Sequence, residues 1–352
     1  MITIDANKFE KTIEGKQSRL FTMKNTKGSV AYVTNYGGRI VGLNVPDKKG
    51  DLVDVVLGFG SIDDVIEYDG GTYYGAAIGR YGNRIKDGKL SIDGTDYQLA
   101  INNGPNSLHG GAVGFDSKIW DVEQVDDSTL ILKYTAADGE ENYPGELAVT
   151  MMYKLTEDNE FAITYEATTD KKTVCNLTNH SYFNLKGCGQ GTATSHIVQL
   201  TADAYIPVDD TAIPLGDIAP VEGTPFDFRE PTAIASRVDE DDIQLKRGKG
   251  YDHTFFFSQA DGETTFLMGS CYEPSNGVMM EIFSNQPGVQ MYSANWAAST
   301  HGKGGTSWEE RDAVCFETQC PPNSPNQPNF PSVELNPGEI YKHTCIYKFS
   351  VK

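Results

Sequence analysis

The sequence predicts an all-β protein, a large antiparallel β-sandwich with very few short helices, and three observations support this prediction. Short segments rich in β-branched and aromatic residues recur along the 352 residues. Dipeptides typical of tight turns separate these segments. Helical spacing of apolar residues occurs only briefly, around residues 61–68 and 230–238. Many short strands with few helices favour a sandwich or a barrel.

The predicted strands alternate apolar and polar residues, as half-buried strands do. The first is SVAYVTNYG at residues 29–37. Seven more follow in chain order, and they are LVDVVLGF, STLILKYTA, LAVTMMYKL, EFAITYEATT, TTFLMGSCYE, VMMEIFS and IYKHTCIYKFSV. Dipeptides that supply a positive φ or a preset bend lie at Asp93-Gly94, Asp138-Gly139, Asp261-Gly262, Asn276-Gly277 and Pro337-Gly338.

The domain organisation follows from what separates these strands. There is no internal repeat and no flexible linker, and the densest Pro and Asn segment is CPPNSPNQPNFPS at residues 320–332. Only one further strand follows it, too little for a second domain. We therefore predict a single domain over residues 1–352, with residues 320–332 as an irregular loop inside it. The acidic run at residues 239–242 is predicted to be a solvated loop.

The charge balance bears on partners and location. The chain has 29 Lys and Arg against 49 Asp and Glu, a formal net charge of −20. This disfavours nucleic acids and anionic membranes as partners, because basic side chains neutralise phosphates. The N-terminus lacks the apolar segment of a signal peptide, and no run reaches the roughly 18 apolar residues of a membrane span. The expectation is a cytoplasmic monomer or homodimer, with the six cysteines as free buried thiols.

Several familiar catalytic motifs are missing. GFGSID at residues 58–63 lacks the third glycine of a dinucleotide fingerprint. There is no phosphate-binding loop, no G-x-S-x-G nucleophile turn and no HExxH pair. Redox, kinase and serine-hydrolase functions are therefore disfavoured.

Four segments instead concentrate polar residues that a β core does not need. They are GRYGNRIKDG, NGPNSLHGG, NLTNHSYFNL and CFETQ. In the last segment, alternation points Cys315, Glu317 and Gln319 to one face of a strand. A carboxylate in an apolar strand is costly unless it is paired, and burial raises its pKa and its basicity. Glu317 is therefore a candidate base.

Each of these residues also has an ordinary structural explanation. A single histidine in a β protein is commonly a hydrogen-bonded structural residue, and a glutamate in a strand commonly faces solvent. Arg84 is by default a surface ion-pair partner, and the glycines are turns. No residue supports a function when it is taken alone. The joint occurrence of these segments supports a function, because together they resemble a known family.

The chain resembles the aldose 1-epimerase family, also called the galactose mutarotases, from near its N-terminus to its last strand. The motifs that carry the resemblance are NGPNSLHGG, NLTNHSYFNL, TPFDFRE, YDHTF, QPGVQMYSANW and ETQ with the tail PNFPSVELNPGEIY. The resemblance implies a galactose mutarotase-like sandwich with an open carbohydrate cleft. It implies interconversion of the α and β anomers of aldohexoses such as galactose and glucose, with no cofactor and no metal.

The resemblance also implies residue roles. Glu317 matches the family's general base and His180 its general acid. The residues that match sugar-binding positions, or share a site segment with one, are Asn83, Arg84, His109, Tyr182, Asp252 and Gln290. The chain departs from the family at Pro322-Asn323-Ser324, where Pro-Asp-Ala is common, and at Thr254, where Asn is common. These departures bear on loop shape and sugar preference.

Mutarotation explains why such residues are needed. A base removes the anomeric hydroxyl proton while an acid protonates the ring oxygen, the C1–O5 bond opens, and the ring recloses on the other carbonyl face. We expect an ionised Glu317 and a protonated His180 on opposite sides of the hemiacetal, each favouring the other's charge. Arg84 steadies charge that develops on oxygen.

Four alternatives remain open at this stage. A phosphohexose 1-epimerase on the same fold needs a basic cluster, and Arg80 with Arg84 is the one closely spaced arginine pair. A glycoside hydrolase needs two carboxylates, such as Glu317 and Asp252. A non-catalytic sugar-binding protein keeps the hydroxyl ligands without the acid and base. A metal site from His109, His180 and a carboxylate is the fourth.

Overall fold

The computed structural model describes residues 2–352, which fold mainly into antiparallel strands. The first half contains β1 (Lys11–Ile13), β2 (Lys16–Ser18), β3 (Leu20–Lys24), β4 (Val30–Thr34), β5 (Arg39–Pro46), β6 (Leu52–Asp54), β7 (Ala77–Ile78), β8 (Arg84–Ile85), β9 (Lys89–Ile92), β10 (Thr95–Gln98), β11 (Ser107–Leu108), β12 (Asp121–Asp126), β13 (Thr129–Ala136), β14 (Leu147–Leu155), β15 (Glu160–Thr169), β16 (Thr173–Val174) and β17 (Thr178–Asn179). The second half contains β18 (Ile197–Leu200), β19 (Ala204–Tyr205), β20 (Ala219–Pro220), β21 (Thr232–Ala233), β22 (Asp252–Phe256), β23 (Phe266–Tyr272), β24 (Val278–Ser284), β25 (Gly288–Tyr292), β26 (Cys315–Gln319), β27 (Glu334–Leu335) and β28 (Tyr341–Val351).

Helices are short and few in the described residues. The α-helices are α1 (Ile62–Tyr68) and α2 (Ile243–Gly248). The 3-10 helices are Ala6–Phe9, Lys86–Gly88, Phe115–Ser117, Glu140–Asn142, Ile234–Ser236, Lys303–Gly305 and Ser324–Asn326. Among these residues no helix combines the length and the apolar character needed to cross a bilayer.

Three sheets make up most of the fold. The largest has nine strands in the order β12-β13-β14-β15-β28-β24-β23-β18-β21. A second has five strands in the order β20-β19-β22-β25-β26, and a third has four in the order β3-β4-β5-β6. The remaining strands form two-stranded pairs, which are β1-β2, β10-β9, β11-β8, β16-β27 and β17-β7.

The sheets enclose one large apolar core. It takes Leu43 from the four-stranded sheet, Met151 from the nine-stranded sheet and Phe316 from the five-stranded sheet, all at most 1% exposed. Along β14 buried residues alternate with more exposed ones, so one face of the large sheet packs inward and the other faces outward. Layered packing of this kind is the predicted sandwich.

The predicted strands are confirmed. LAVTMMYKL, EFAITYEATT and VMMEIFS coincide with β14, β15 and β24, and the other five segments contain β4, β6, β13, β23 and β28. The turn glycines have positive φ, for example 78° at Gly94, where the preceding Asp93 is also positive at 49°. Two positive φ values in succession are the type I′ geometry that joins β9 to β10.

One predicted helix is confirmed and the other is wrong. α1 follows the predicted segment 61–68 closely, and the Ser61 hydroxyl accepts a hydrogen bond from the Asp64 N–H as its N-cap. Residues 230–238 instead form β21 and a 3-10 turn, because 232–233 pairs with β18. α2 was not predicted; Asp242, the last residue of the acidic run, caps it through the N–H groups of Gln244 and Leu245.

Two further expectations about loops and thiols are met. Residues 320–332 contain one 3-10 turn and no strand, although residues 320–324 are buried. All six cysteines are free and buried.

Candidate active site

One cavity brings together most of the polar residues singled out by the sequence. Its volume is about 370 Å³, within the range of small-molecule sites. The lining residues are Gly71, Thr72, Tyr73, Asn83, Arg84, Asn103, Leu108, His109, His180, Tyr182, Asp252, Tyr292, Trp296 and Glu317. Histidines, carboxylates and amides among aromatic rings are the composition of a carbohydrate site.

The floor of the cavity is one end of the five-stranded sheet, where β22, β25 and β26 lie side by side. Glu317 on β26 pairs in register with Gln290 on β25, which pairs with Thr254 on β22. Asp252 is two residues before Thr254 and lies on the same face of the sheet. Strand pairing therefore fixes the two acidic groups of the site relative to each other.

His180 enters the cavity at the end of the short ladder between β7 and β17. The backbone N–H of His180 donates to the Ala76 carbonyl at 2.9 Å. The flanking polar side chains turn away from the cavity: the Asn179 amide donates to the Gly75 carbonyl at 3.0 Å, and the Ser181 hydroxyl donates to Asn179 Oδ1 at 2.6 Å. Asn179 and Ser181 therefore form hydrogen bonds within the protein, while the His180 side chain lines the cavity.

Glu317 and His180 meet directly. Glu317 Oε1 lies 3.6 Å from His180 Nε2, and both side chains are almost fully buried. Within residues 2–352 no group hydrogen-bonds Glu317 Oε2. The expectation that the two groups lie on opposite sides of the hemiacetal stays a prediction, because the distance between their atoms does not locate the sugar. A hemiacetal can still contact both, since its two oxygens are bonded to the same carbon.

The pKa directions of this pair run against the expected charge states. Burial, with a smaller contribution from Arg39 and against a backbone hydrogen bond that raises it, lowers the pKa of His180 to about 3. Burial raises the pKa of Glu317 well above its ordinary value, and Asp252 adds to this while Arg84 opposes it. Desolvation therefore opposes the charged form of both groups and favours carboxylic acid beside neutral imidazole.

His109 is held as a neutral donor. The backbone N–H of Asn83 donates to His109 Nδ1 at 3.1 Å. The ring proton of the neutral imidazole is therefore on Nε2. Burial, with His180 and Arg84, lowers the pKa of His109 well below its ordinary value. The adjacent Gly110 has a φ of 90°, and a Cβ there would lie 1.9 Å from the Gly79 carbonyl oxygen. The glycine is thus required for this close approach of two backbone segments.

The donor chemistry of these residues bears on a metal. Ligating atoms of His109, His180 and Glu317 lie within 4.8 Å of one another. A histidine binds metal through a lone pair. In His109 the Nδ1 lone pair accepts the Asn83 N–H, and Nε2 carries the proton. His109 therefore does not suit a metal, and two ligands remain.

Arg84, Asp252 and Gln290 form a connected group beside the pair. Arg84 Nη1 lies 3.9 Å from Asp252 Oδ2, and Arg84 Nε donates to Asn103 Oδ1 at 3.0 Å. The Gln290 amide donates to Asp252 Oδ1 at 2.7 Å. Gln290 does not line the cavity, so the structure places it behind Asp252. A direct contact between Gln290 and a sugar hydroxyl stays a prediction.

Aromatic rings hold His180 from two sides. Tyr182 stacks on it with ring centroids 4.9 Å apart, and Tyr73 stacks at 6.0 Å. The Tyr182 hydroxyl donates to the Thr72 carbonyl at 2.8 Å, so Tyr182 offers the cavity its ring rather than its hydroxyl. Beneath the ring, His180 Nδ1 lies 3.6 Å from Cys315 Sγ. Two stacked rings and a contact at one nitrogen therefore hold the imidazole.

Several lining residues were not predicted. Tyr292 and Trp296 lie in QPGVQMYSANW, and alternation with Gln290 is a signal for Tyr292. Tyr73 has no sequence signal, because its position depends on tertiary contacts. Its N–H donates to Asp69 Oδ2 at 3.1 Å, and Asp69 in turn pairs with the buried Arg39 at 2.9 Å. This ion pair fixes the loop that carries Tyr73.

The departure at 322–324 supports the site from below. Asn323 has a φ of 56°, its N–H donates to the Arg84 carbonyl at 2.7 Å, and its side-chain oxygen accepts the Lys86 N–H at 3.0 Å. Asparagine tolerates this left-handed conformation better than most residues. The segment therefore braces the backbone of Arg84.

Comparisons with known proteins agree with this arrangement. A sequence profile described as aldose 1-epimerase matches residues 19–348. A galactose mutarotase of Sus scrofa is 42% identical over 320 residues, covering 91% of this chain and 90% of that protein. An aldose 1-epimerase of Escherichia coli (strain K12) is 35% identical over 338 residues and 96% of each chain.

Solved structures agree as well. A GalM/aldose epimerase homologue from C. elegans superposes with a TM-score of 0.87 at 29% identity, covering 95% of this chain and 99% of that one. A galactose 1-epimerase from Lactobacillus acidophilus NCFM superposes with a TM-score of 0.84 at 28% identity, covering 100% and 99%. The sequence matches extend over both the strands and the residues of the cavity, and so the chain belongs to the aldose 1-epimerase family.

Proposed function

We propose that this protein is an aldose 1-epimerase that interconverts the α and β anomers of an aldohexose such as galactose or glucose, with Glu317 and His180 as its acid–base pair. The contact between these two side chains inside a polar, aromatic-lined cavity is the observation that carries the proposal. A mutarotase named for galactose, at 42% identity, supports the substrate class.

The reaction uses the single proton that the pair holds. Glu317 as carboxylate takes the proton of the anomeric hydroxyl, the C1–O5 bond breaks, and His180 as imidazolium gives its Nε2 proton to O5. The pair is now carboxylic acid and neutral imidazole, with an open-chain aldehyde. Rotation about C1–C2 presents the other carbonyl face, and the reverse transfers close the ring.

Both proton arrangements of the pair therefore occur within one turnover. Burial favours carboxylic acid and neutral imidazole, the arrangement that accompanies the open-chain sugar. Because Nε2 faces Glu317, it is the nitrogen that gains and loses the proton. Nδ1, which lies 3.6 Å from Cys315 Sγ, keeps its proton throughout in this proposal.

The other lining residues bind the sugar in this proposal. The Nε2–H of His109 donates to a sugar oxygen, and Arg84 and Asp252 take hydroxyl groups with charge-assisted hydrogen bonds. The Asn83 side-chain oxygen accepts a hydrogen bond from the backbone N–H of Arg84 at 2.9 Å. The side-chain N–H groups of Asn83 are then left for the sugar. Tyr73 and Trp296 cover C–H surface.

The phosphohexose alternative lacks its basic cluster. Arg80 is 2% exposed, and its Nη1 donates to the carbonyls of Pro144 and Gly145 at 2.8 Å. Arg84 is the one arginine or lysine among the described residues that line the cavity. A phosphate dianion beside Asp252 and Glu317 needs more positive charge than this.

Two further alternatives are less consistent with the geometry. A glycoside hydrolase that uses Glu317 and Asp252 leaves His180 and His109 without a role, although both line the cavity. A non-catalytic sugar-binding protein gains nothing from burying an acid beside a base, since both groups pay a desolvation penalty. The acid–base pair favours catalysis.

Polarimetry tests the proposal directly. Freshly dissolved α-galactose, α-glucose, α-xylose and α-glucose 6-phosphate are each followed with and without the protein. We expect faster decay to the equilibrium rotation for the neutral hexoses and little acceleration for the phosphate. Decay of every sugar at the rate of buffer alone would reject the function.

The pH dependence follows from the pair's one proton. Activity is lost in acid when a second proton binds the pair, and this proton goes onto His180. Because the pKa of His180 is lowered to about 3, the loss of activity falls far below pH 6.5. We therefore expect kcat/KM to stay flat from about pH 7 to about pH 5, after subtraction of the uncatalysed rate. An acidic decline centred at about pH 6.5 or higher, the ordinary range of histidine, would contradict it.

A further inference from the structure

Thr254 lies on β22, beneath the cavity, two residues after Asp252. It is 1% exposed and pairs in register with Gln290, which is 3% exposed. Thr254 itself does not line the cavity. An influence on the sugar must therefore pass through a neighbour.

Two short hydrogen bonds connect it to the site. The Thr254 hydroxyl donates to Gln290 Oε1 at 2.5 Å, and Gln290 Nε2 donates to Asp252 Oδ1 at 2.7 Å. The Asp252 carboxylate only accepts, so the amide must face it with its N–H₂ group. The amide oxygen then faces away and needs a donor, which Thr254 supplies.

We infer that Thr254 is a positioning residue for sugar binding, which acts through Gln290 to hold Asp252. Gln290 engages Oδ1 of Asp252, so Oδ2, the oxygen 3.9 Å from Arg84 Nη1, is the one that meets a sugar hydroxyl. This inference rests on the proposed function and adds to it a residue that never contacts the sugar.

Loss of the hydroxyl removes the donor and keeps the packing. In Thr254→Val the Gln290 oxygen is buried without a partner, so the amide no longer holds the carboxylate in one orientation. Glu317 and His180 keep their places. We expect KM for galactose to rise about tenfold, the effect of one buried hydrogen bond, while kcat changes less than about threefold.

The experiment compares variants by polarimetry over a range of galactose concentrations. Thr254→Ser, which keeps the hydroxyl, is expected to restore the KM of the wild type. Thr150→Val, the same exchange on β14 of the large sheet, is the matched control. Thr254→Ala provides a second hydroxyl-free variant if Thr254→Val does not fold, as judged by thermal unfolding.

A double-variant cycle tests the route through Gln290. If Thr254 acts through Gln290, adding Thr254→Val to Gln290→Leu changes KM by less than about twofold. If the double variant instead shows the product of the two single-variant increases in KM, the inference is overturned. An unchanged KM in both hydroxyl-free variants would also overturn it. A shifted pH profile of kcat would also overturn it, because Thr254 would then act on the acid–base pair. An active wild type with any of these results leaves the proposed function intact.

Discussion

Replacing Glu317 with glutamine is expected to lower the rate of galactose anomer interconversion at least about 100-fold. The amide has the same shape but cannot take the proton of the anomeric hydroxyl or return it when the ring closes. A positioned proton transfer contributes about 10²–10⁴ in rate, which is about 2.7–5.5 kcal/mol of barrier. Polarimetry under saturating sugar measures this loss.

Folding is expected to survive this exchange. Because burial already favours the neutral form of Glu317, a neutral amide suits the same environment. Glu281→Gln, on β24 of the nine-stranded sheet, is the matched control and should keep the full rate. A Glu317→Gln variant that folds and retains the wild-type rate would remove Glu317 from the mechanism.

Replacing His180 with asparagine is expected to have an effect of similar size. Asparagine preserves a polar group near Cys315 but has no nitrogen that gains and loses a proton. O5 would then leave C1 as an alkoxide without an acid, so the loss should fall mainly on kcat. The measurement is again the polarimetric rate, at least about 100-fold below the wild type.

An exposed histidine offers the control for this variant. His301 stacks on Tyr68 with ring centroids 3.7 Å apart and does not line the cavity. His301→Asn should therefore leave the rate unchanged. Wild-type activity in a folded His180→Asn variant would show that another group protonates the ring oxygen.

The sequence was sufficient for the eight predicted strands because their signal is local. In β14, Met151 and Tyr153 face the core with outward residues between them, and this period of two is visible without a structure. α2 has no comparable signal, since it has only six residues. Its start is defined by the capping carboxylate of Asp242, within a run that resembles a solvated loop.

The helix predicted at residues 230–238 failed for a tertiary reason. The spacing of apolar residues there fits a helix, but Thr232 and Ala233 pair with Val198 and Ile197 of β18. That pairing depends on where β18 lies in space, which the local sequence does not contain. The segment therefore adds the last strand to the nine-stranded sheet.

The site was predicted in most of its polar members but not in its charges. The histidines, Glu317 and Arg84 fall in segments whose polar residues are unusual for a β core. Their protonation depends on how much water the fold removes from them, and desolvation dominates for both Glu317 and His180. Sequence reasoning expected burial to raise the pKa of Glu317, but it assigned the charges of the pair from their mutual attraction and gave the burial of His180 no weight.

Gln290 illustrates the same limit in another form. Its segment marks it as a polar residue of the site, yet the register of β22, β25 and β26 places its amide between Thr254 and Asp252. Register across three strands is set by pairing over long sequence separations. The orientation of one amide could not be deduced without it.

The central claim is that Glu317 and His180 act as one unit that holds a single proton, and the double variant Glu317→Gln/His180→Asn tests it most directly. Groups that act as a unit are not additive, so we expect the double variant to be as slow as the slower single variant, within about threefold. If the two losses multiply instead, the residues act independently, and the shared proton is contradicted.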